Sequence, residues 1–318
     1  MYLFFRTRCT TRERYLVNKI RHLFLLAKNF SLIFALSQLM LVIFEKMHRT
    51  PLRIYRWRNA YLQSVIHRLV QDDELLERSN TSACKSDTIY TMWLQGEDKA
   101  PKLVKICTES LRQSGHPVIV LDESNIETYI RIPECITAKL GKEITYAHFS
   151  DYVRFALLAK HGGAWMDSTI FCIGDMPEEV FNLPFFTYVT RGARPNLRCA
   201  NSWWKGFAIG TDGTSDMFDL ARLILESYWQ HYDVLADYFL VDHVFSYCLT
   251  LPKYSHYCSI IPEQSANIYW LARHYNEEWN RNAVQELAFV NKLSYKDMDV
   301  SKVSRHSVWT HLVDDISS

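Results

Sequence analysis

His148–Cys172, HFSDYVRFALLAKHGGAWMDSTIFC, is the stretch whose reading decides the fold. Its first half predicts a helix starting near Ile144, with Asp151 and Arg154 three residues apart and so on one face. Gly162-Gly163 can end that helix, because glycine enters the left-handed cap conformation without a Cβ clash. Ala164–Ile173 then reads as a buried strand, interrupted by Asp167 between Met166 and Ser168. A carboxylate there is costly to bury alone, so a cation or polar ligand is expected beside it.

Upstream, Thr88–Leu94 (TIYTMWL) reads as a strand, Pro101–Leu111 as a helix and Pro117–Asp122 (PVIVLD) as a buried parallel strand. Together they form a βαβ unit with a right-handed crossover. In open sheets of this kind ligands lie beyond the carboxyl ends of the strands. That places Trp93, Gln95 and Gly96 after the first strand and Asp122 and Glu123 after the second. Downstream, Glu178–Leu183 reads as a helical turn, Phe185–Thr190 as a strand, and Asn201–Ile209 as a strand and its approach. Met217–His231 and Asp233–Cys248 read as amphipathic helices. Thr190–Ser202 carries Arg191, Arg194 and Arg198, a loop suited to close over an anion or to lie solvated. The tail, Lys292–Asp315, reads as polar, with His306 and His311 as further candidates for an anionic ligand.

The first 29 residues carry seven basic side chains against Glu13 alone, and Phe30–Phe44 (FSLIFALSQLMLVIF) follows without a charge. That run falls short of the ~20 residues a bilayer span needs; reaching back to Leu23 would include Lys28. A signal-anchor, an interfacial helix on anionic lipid and a buried helix of the domain are all consistent with it. Arg49–Arg78 reads as one amphipathic helix with a basic face, and Ser79–Asp87 as a linker. The expected division is 1–80, helical and membrane-associating, and 81–318, the catalytic domain.

The 318 residues have a formal net charge of +1, which gives no support for a nucleic-acid partner. The eight cysteines show no CxxC pair or zinc spacing, so a reducing compartment is the simpler reading. Walker, GxGxxG, GxSxG and HExxH motifs are absent from the sequence.

Ser150-Asp151-x-x-Arg154 followed by Gly162-Gly163-x-Trp165-x-Asp167 resembles the signature of GT-A glycosyltransferases related to family 32, and within them the capsular polysaccharide synthesis proteins. Thr91–Gly96, Ala147–Asp151, Asp237-Tyr238-Phe239 and Asn291-Lys292-Leu293 agree with that group in order and spacing. The resemblance covers roughly 88–312 and implies an α/β, Rossmann-like nucleotide-sugar domain with a mixed central sheet behind N-terminal helices. It implies transfer of a hexose from a uridine diphosphate sugar to a glycan or lipid-linked acceptor, with retention of configuration.

By the same resemblance Asp167 is the first aspartate of a DxD motif, while Asp151 and Arg154 contact the donor sugar. Trp93, Gln95, Ser150, Gly163 and Trp165 complete the donor-site set. Manganese or magnesium is implied, yet the run here is Asp167-Ser168-Thr169, so the second carboxylate is replaced. Asp242 or His243, or the diphosphate oxygens themselves, would then complete a metal site held by Asp167.

Each residue also has a plainer reading. Asp151–Arg154 alone is a surface ion pair worth under ~1 kcal/mol. Trp165 is a core anchor, Trp93 and Gln95 a structural loop, and Asp242 and His243 a solvated helix face. The expected location is the cytoplasmic face of a membrane, with a lumenal type II arrangement as the alternative. A non-catalytic carbohydrate-binding or scaffolding protein on the same fold is the competing function.

Overall fold

In the computed structural model, residues 11–80, 83–188, 204–261, 267–280 and 287–317 are described. The apolar runs on either side of the helix over 102–112, and the run that follows Gly162, become the central strands. These are β1 (Ile89–Met92), β2 (Val118–Leu121) and β3 (Gly163–Met166). β1 lies between β2 and β3 and is parallel to both. β6 (Ala208–Thr211) joins β3 antiparallel, and β5 (Phe186–Thr187) closes the far edge, so the sheet is mixed and five-stranded in the order β2-β1-β3-β6-β5. A second, two-stranded sheet pairs β4 (Ile170–Cys172) antiparallel with β7 (Val290–Lys292).

The chain crosses from β1 to β2 through α5 (Lys102–Arg112) and reaches β3 through α8 (Tyr146–His161), with the short helices α6 (Ile126–Tyr129) and α7 (Glu134–Thr137) between. Thr145 caps α8, its side chain accepting from the His148 N–H. Gly162 and Gly163 both have positive φ, and a Cβ on either would meet a backbone carbonyl, of Cys84 at 2.6 Å or Thr88 at 2.4 Å. The double glycine is therefore what lets β3 start directly against the backbone entering β1.

Side-chain alternation along β3 divides the core. Trp165 packs with α8, α10 (Met217–His231) and α11 (Leu240–Thr250) on one face of the sheet. Ala164 and Met166 pack on the other with Val180 and Phe181 of α9 (Glu179–Asn182). The second sheet makes a third cluster, in which Phe171 and Leu293 meet Leu103 of α5 and Trp309 of the last helix. Among the described residues the remaining helices of the second half are α12 (Tyr257–Ile260), α13 (Trp270–His274) and α14 (Val308–Ser317).

The N-terminal helices are α1 (Thr11–Asn29), α2 (Leu32–Lys46), α3 (Leu52–Asp72) and α4 (Leu75–Arg78). They are not separate from the rest: Leu26, Phe34, Leu62 and Leu69 belong to the same core as Tyr90 and Trp165. Among the described residues no helix is long and apolar enough to cross a membrane. α2 has two apolar faces. Phe34, Ala35 and Leu41 point into the protein, while Leu32, Ile33, Leu36, Leu39, Met40 and Ile43 are exposed.

Several expectations need correction. Arg49–Arg78 is two helices, because Glu74 takes a left-handed conformation (φ 51°). Ala164–Ile173 is two strands in different sheets, because the chain turns at Asp167. The Asp167 N–H donates to the Phe207 carbonyl and its own carbonyl accepts from the Ile170 N–H. Helix α11 begins at Leu240 rather than Asp233, since Asp237 accepts from the Phe239 N–H and holds the preceding loop. The tail is ordered and partly apolar: α14 buries Val308, Trp309 and Leu312. Of the strand and its approach expected over Asn201–Ile209, Ala208 and Ile209 begin β6, while residues 201–203 lie outside the described residues. The first ten residues and Arg191, Arg194 and Arg198 lie outside the described residues.

Candidate active site

The carboxyl ends of β1 and β3 open onto a cleft of about 1010 Å³. Trp93, Leu94 and Gln95 line it from the end of β1, and Trp165, Asp167, Ser168 and Thr169 from the end of β3. Lys292, Ser294 and Tyr295 close it from β7 and the chain that follows. A second cleft of about 450 Å³ adjoins it, lined by Asp151, Arg154, Trp204, Phe207, Tyr238 and Asp242. Ser150, Asp167, Lys292, Tyr238 and Tyr269 belong to both, so the two clefts meet at one cluster of charge.

Arg154 is the centre of that cluster. Its Nη2 lies 2.9 Å from the Asp151 carboxylate and 3.4 Å from that of Asp167. The same Nη2 donates to the Ser150 hydroxyl at 3.2 Å, Nε donates to the Ser150 carbonyl at 3.3 Å, and Nη1 donates to the Gly206 carbonyl. A Cβ at Gly206 would come within 2.9 Å of Nη1, so that glycine makes room for the guanidinium. The planar fork of arginine suits this geometry, since one group must meet two carboxylates and two carbonyls at fixed angles.

Asp167 is held from three sides. One oxygen accepts from the Trp165 indole N–H at 2.9 Å and faces Arg154; the other accepts from the Lys292 ammonium at 2.8 Å. Lys292 Nζ also donates to the Thr169 hydroxyl at 2.8 Å and stands 5.0 Å from the Phe207 ring centroid. Burial alone would raise the Asp167 carboxyl, but Lys292 and Arg154 outweigh it and hold its pKa below the ordinary value. Asp151 goes the other way. Burial, only partly offset by Arg154 and reinforced by the Asp167 charge, raises it to about 6. The two carboxylates share one arginine, yet among the described residues only Asp167 has a second cation.

The structure thus brings together Ser150, Asp151, Arg154, Trp165 and Asp167, with Trp93 and Gln95 at the far wall. Trp165 is only 1% exposed and reads as a core anchor that also positions Asp167. Gly163 does not join them: it lies at the opposite end of β3, and its role is the close approach to Thr88. Asp242 lines the smaller cleft and accepts from the Trp204 indole at 3.1 Å. His243 is 2% exposed and lines a separate cavity near Asp237, with burial lowering its pKa. His306 and His311 line neither cleft, and the His311 ring packs 3.7 Å from that of Trp279.

Sequence reasoning missed the basic character of the larger cleft. Lys99, Arg273, Lys292 and Lys296 line it, against Asp167 and Asp297. These residues come from three distant segments, and only the Asn291-Lys292-Leu293 run gave any signal. Tyr295 sits edge-on to Trp93 at 5.7 Å, forming an aromatic corner at the mouth.

Among the described residues, those around Asp167 do not make a divalent-cation site. Both oxygens of Asp167 already face cations, Thr169 stands where a second carboxylate would be, and its hydroxyl is bonded to Lys292. No group of three or more Asp, Glu, His or Cys side chains able to hold a metal occurs among the described residues.

Comparison with family models matches residues 42–312 to the family described as capsular polysaccharide synthesis protein. Comparison with curated proteins and with solved structures gives no match.

Proposed function

The chain belongs to the capsular polysaccharide synthesis protein family, and from that premise we propose that it is a glycosyltransferase. It takes a hexose from a uridine diphosphate sugar and places it on a glycan or lipid-linked acceptor, with retention of configuration as the resemblance to GT-A enzymes related to family 32 implies. The observation that carries this reading is the Asp151–Arg154–Asp167–Lys292 cluster, set where two clefts meet beyond the ends of parallel strands.

In this reading the diphosphate lies in the larger, basic cleft and the base rests at the Trp93–Tyr295 corner beside Gln95. Ser150, Asp151 and Arg154 orient the sugar, and the acceptor enters through the smaller cleft. The anomeric carbon–oxygen bond breaks with its electron pair on the β-phosphate. The acceptor oxygen forms the new bond and gives up its proton to the departing phosphate or to water. Charge grows on the diphosphate, and preorganised cations lower the barrier because they need not reorganise as it forms. A non-catalytic binding protein on this fold would bind the same ligand without turnover.

The test is thermal unfolding of the full chain with a panel of uridine diphosphate sugars. A ligand that binds only the folded state raises the melting temperature. A concentration-dependent rise with at least one sugar nucleotide supports the reading, and no shift with any of them counts against it.

Attachment to a membrane surface is part of the same proposal. Besides the outer residues of α2, Ile20 and Phe24 of α1 are exposed, and so are the basic Arg21, Lys28, Lys46, Arg49 and Arg53 of the N-terminal helices and their junctions. An apolar face rimmed by basic side chains suits an interface of anionic lipid. It would hold the clefts at the cytoplasmic face, where lipid-linked acceptors are presented. Flotation with phosphatidylglycerol vesicles but not with phosphatidylcholine vesicles is the expected result; equal flotation, or none, rejects it.

A further inference from the structure

The geometry points to Lys292 as the cation of this site: we propose that its ammonium group meets the donor diphosphate directly, so that nucleotide binding needs no divalent metal. The inference rests on the nucleotide-sugar reading above and deepens it.

Asp167 and Thr169 are the two positions at which a DxD motif would present carboxylates to a metal ion. In this chain a single group bridges them, and it is Lys292 Nζ, 2.8 Å from the Asp167 carboxylate and 2.8 Å from the Thr169 hydroxyl. The exchange of a carboxylate for a hydroxyl matches the exchange of ions. A divalent cation needs several anionic oxygens, whereas an ammonium ion is held in place by one carboxylate and one neutral acceptor, with a third N–H to spare.

A metal entering here would have to displace both Lys292 and Arg154 from Asp167. It would find no further carboxylate, imidazole or thiolate cluster among the described residues. Lys292 is positioned by pairing rather than by chance. It ends β7, which pairs with β4 so that Lys292 lies opposite Ile170, the residue after Thr169.

The ammonium has three N–H donors and spends two on Asp167 and Thr169. Its side chain is 22% exposed and lines both clefts, so the third is available to a phosphate oxygen. Lys99, Arg273 and Lys296 line the same cleft and can take the remaining charge. When the sugar–phosphate bond breaks, the electron pair stays on the β-phosphate oxygen. A fixed ammonium there supplies the positive charge that a metal supplies elsewhere.

The experiment is calorimetric titration of the full chain with uridine diphosphate and with guanosine diphosphate, after chelation and then in excess manganese. Expected is binding of a nucleoside diphosphate with affinities that agree within about twofold with and without manganese. Replacing Lys292→Gln, which keeps a polar side chain but no charge, should weaken that binding by about tenfold or more. Binding that appears only with manganese, or a Lys292→Gln protein that binds as tightly as the parent, overturns the lysine proposal and leaves the nucleotide-sugar reading standing. Failure of the folded parent protein to bind either nucleotide, with or without manganese, rejects the nucleotide-sugar reading itself and this inference with it. The double substitution Thr169→Asp with Lys292→Ala should make nucleotide binding manganese-dependent, an outcome readable without any turnover.

Discussion

Arg58 and Arg154 are both buried guanidinium groups, 1% and 5% exposed, and each joins a helix to a loop far away in the chain. Arg58, on α3, donates to the Phe34 carbonyl at 3.2 Å, the Ser37 hydroxyl at 2.7 Å and the Ala236 carbonyl at 3.1 Å, with its carbon centre 4.1 Å above the Phe34 ring. Asp237 is 3.9 Å away and half outside the cluster, so burial lowers the Arg58 pKa even though Asp237 and Tyr55 oppose it. Arg154 instead meets two carboxylates and opens onto a cleft. Charge met mainly by neutral acceptors ties the N-terminal helices to the loop before α11. Charge met by carboxylates at a cavity mouth can be redistributed when an anion arrives.

Substitution separates the two roles most sharply in turnover. Arg154→Met should lower sugar transfer by about 10²–10³-fold, in the range for loss of one preorganised charge donor. Arg58→Met should leave transfer per folded molecule near the parent value. Equal losses would erase the distinction.

Stability should show the reverse order. Arg58→Met should cost about 3 kcal/mol in urea unfolding, since three hydrogen bonds to a buried charge disappear together. Arg154→Met should cost less, because Asp167 keeps Lys292 and Asp151 can take up a proton.

A smaller effect comes from pH. Asp151, raised to about 6, binds a proton in the folded state before it does in the unfolded chain, whose carboxylate has a pKa near ~3.9. Its contribution to stability is therefore complete below that value and lost as pH rises towards about 6. Asp167 has the opposite sign: its stabilisation is present above the ordinary carboxylate value and is lost as pH falls through its lowered one. Asp151→Asn should flatten the decline in unfolding free energy between about pH 4 and 6. An unchanged slope would place the titration elsewhere.

The smallest effect belongs to the outer face of the Arg58 region. Leu36→Glu, on the exposed stripe of α2, should change stability by less than about 0.5 kcal/mol while reducing binding to phosphatidylglycerol vesicles. A large loss of stability would show that this face packs on protein.

How much of this could be read from sequence depended on distance along the chain. α8, the double glycine, β3 and the Asp151–Arg154–Asp167 group lie within 22 residues, so spacing and local propensity were enough to place them. Lys292 lies 125 residues from Asp167 and reaches it through the pairing of β4 with β7. No local periodicity reports such a pairing. The turn at Asp167 was hidden for a related reason. An apolar run of ten residues looks like one strand until tertiary hydrogen bonds to Phe207 and Leu293 send its halves to different sheets. Asp233–Phe239 read as helix by its apolar spacing, but its Val234 and Ala236 carbonyls accept from the Tyr228 hydroxyl and from Arg58. In the tail, the polar composition concealed the apolar face that α14 turns towards Phe171.

The nucleotide-sugar account is tested most directly by the release of uridine diphosphate from uridine diphosphate hexoses, comparing the parent protein with Asp167→Asn at equal folded concentration. The account predicts release by the parent from at least one donor and a rate at least about 10²-fold lower in the variant, which no longer holds the charge partner of Lys292 and Arg154. Equal rates in the two proteins would contradict it.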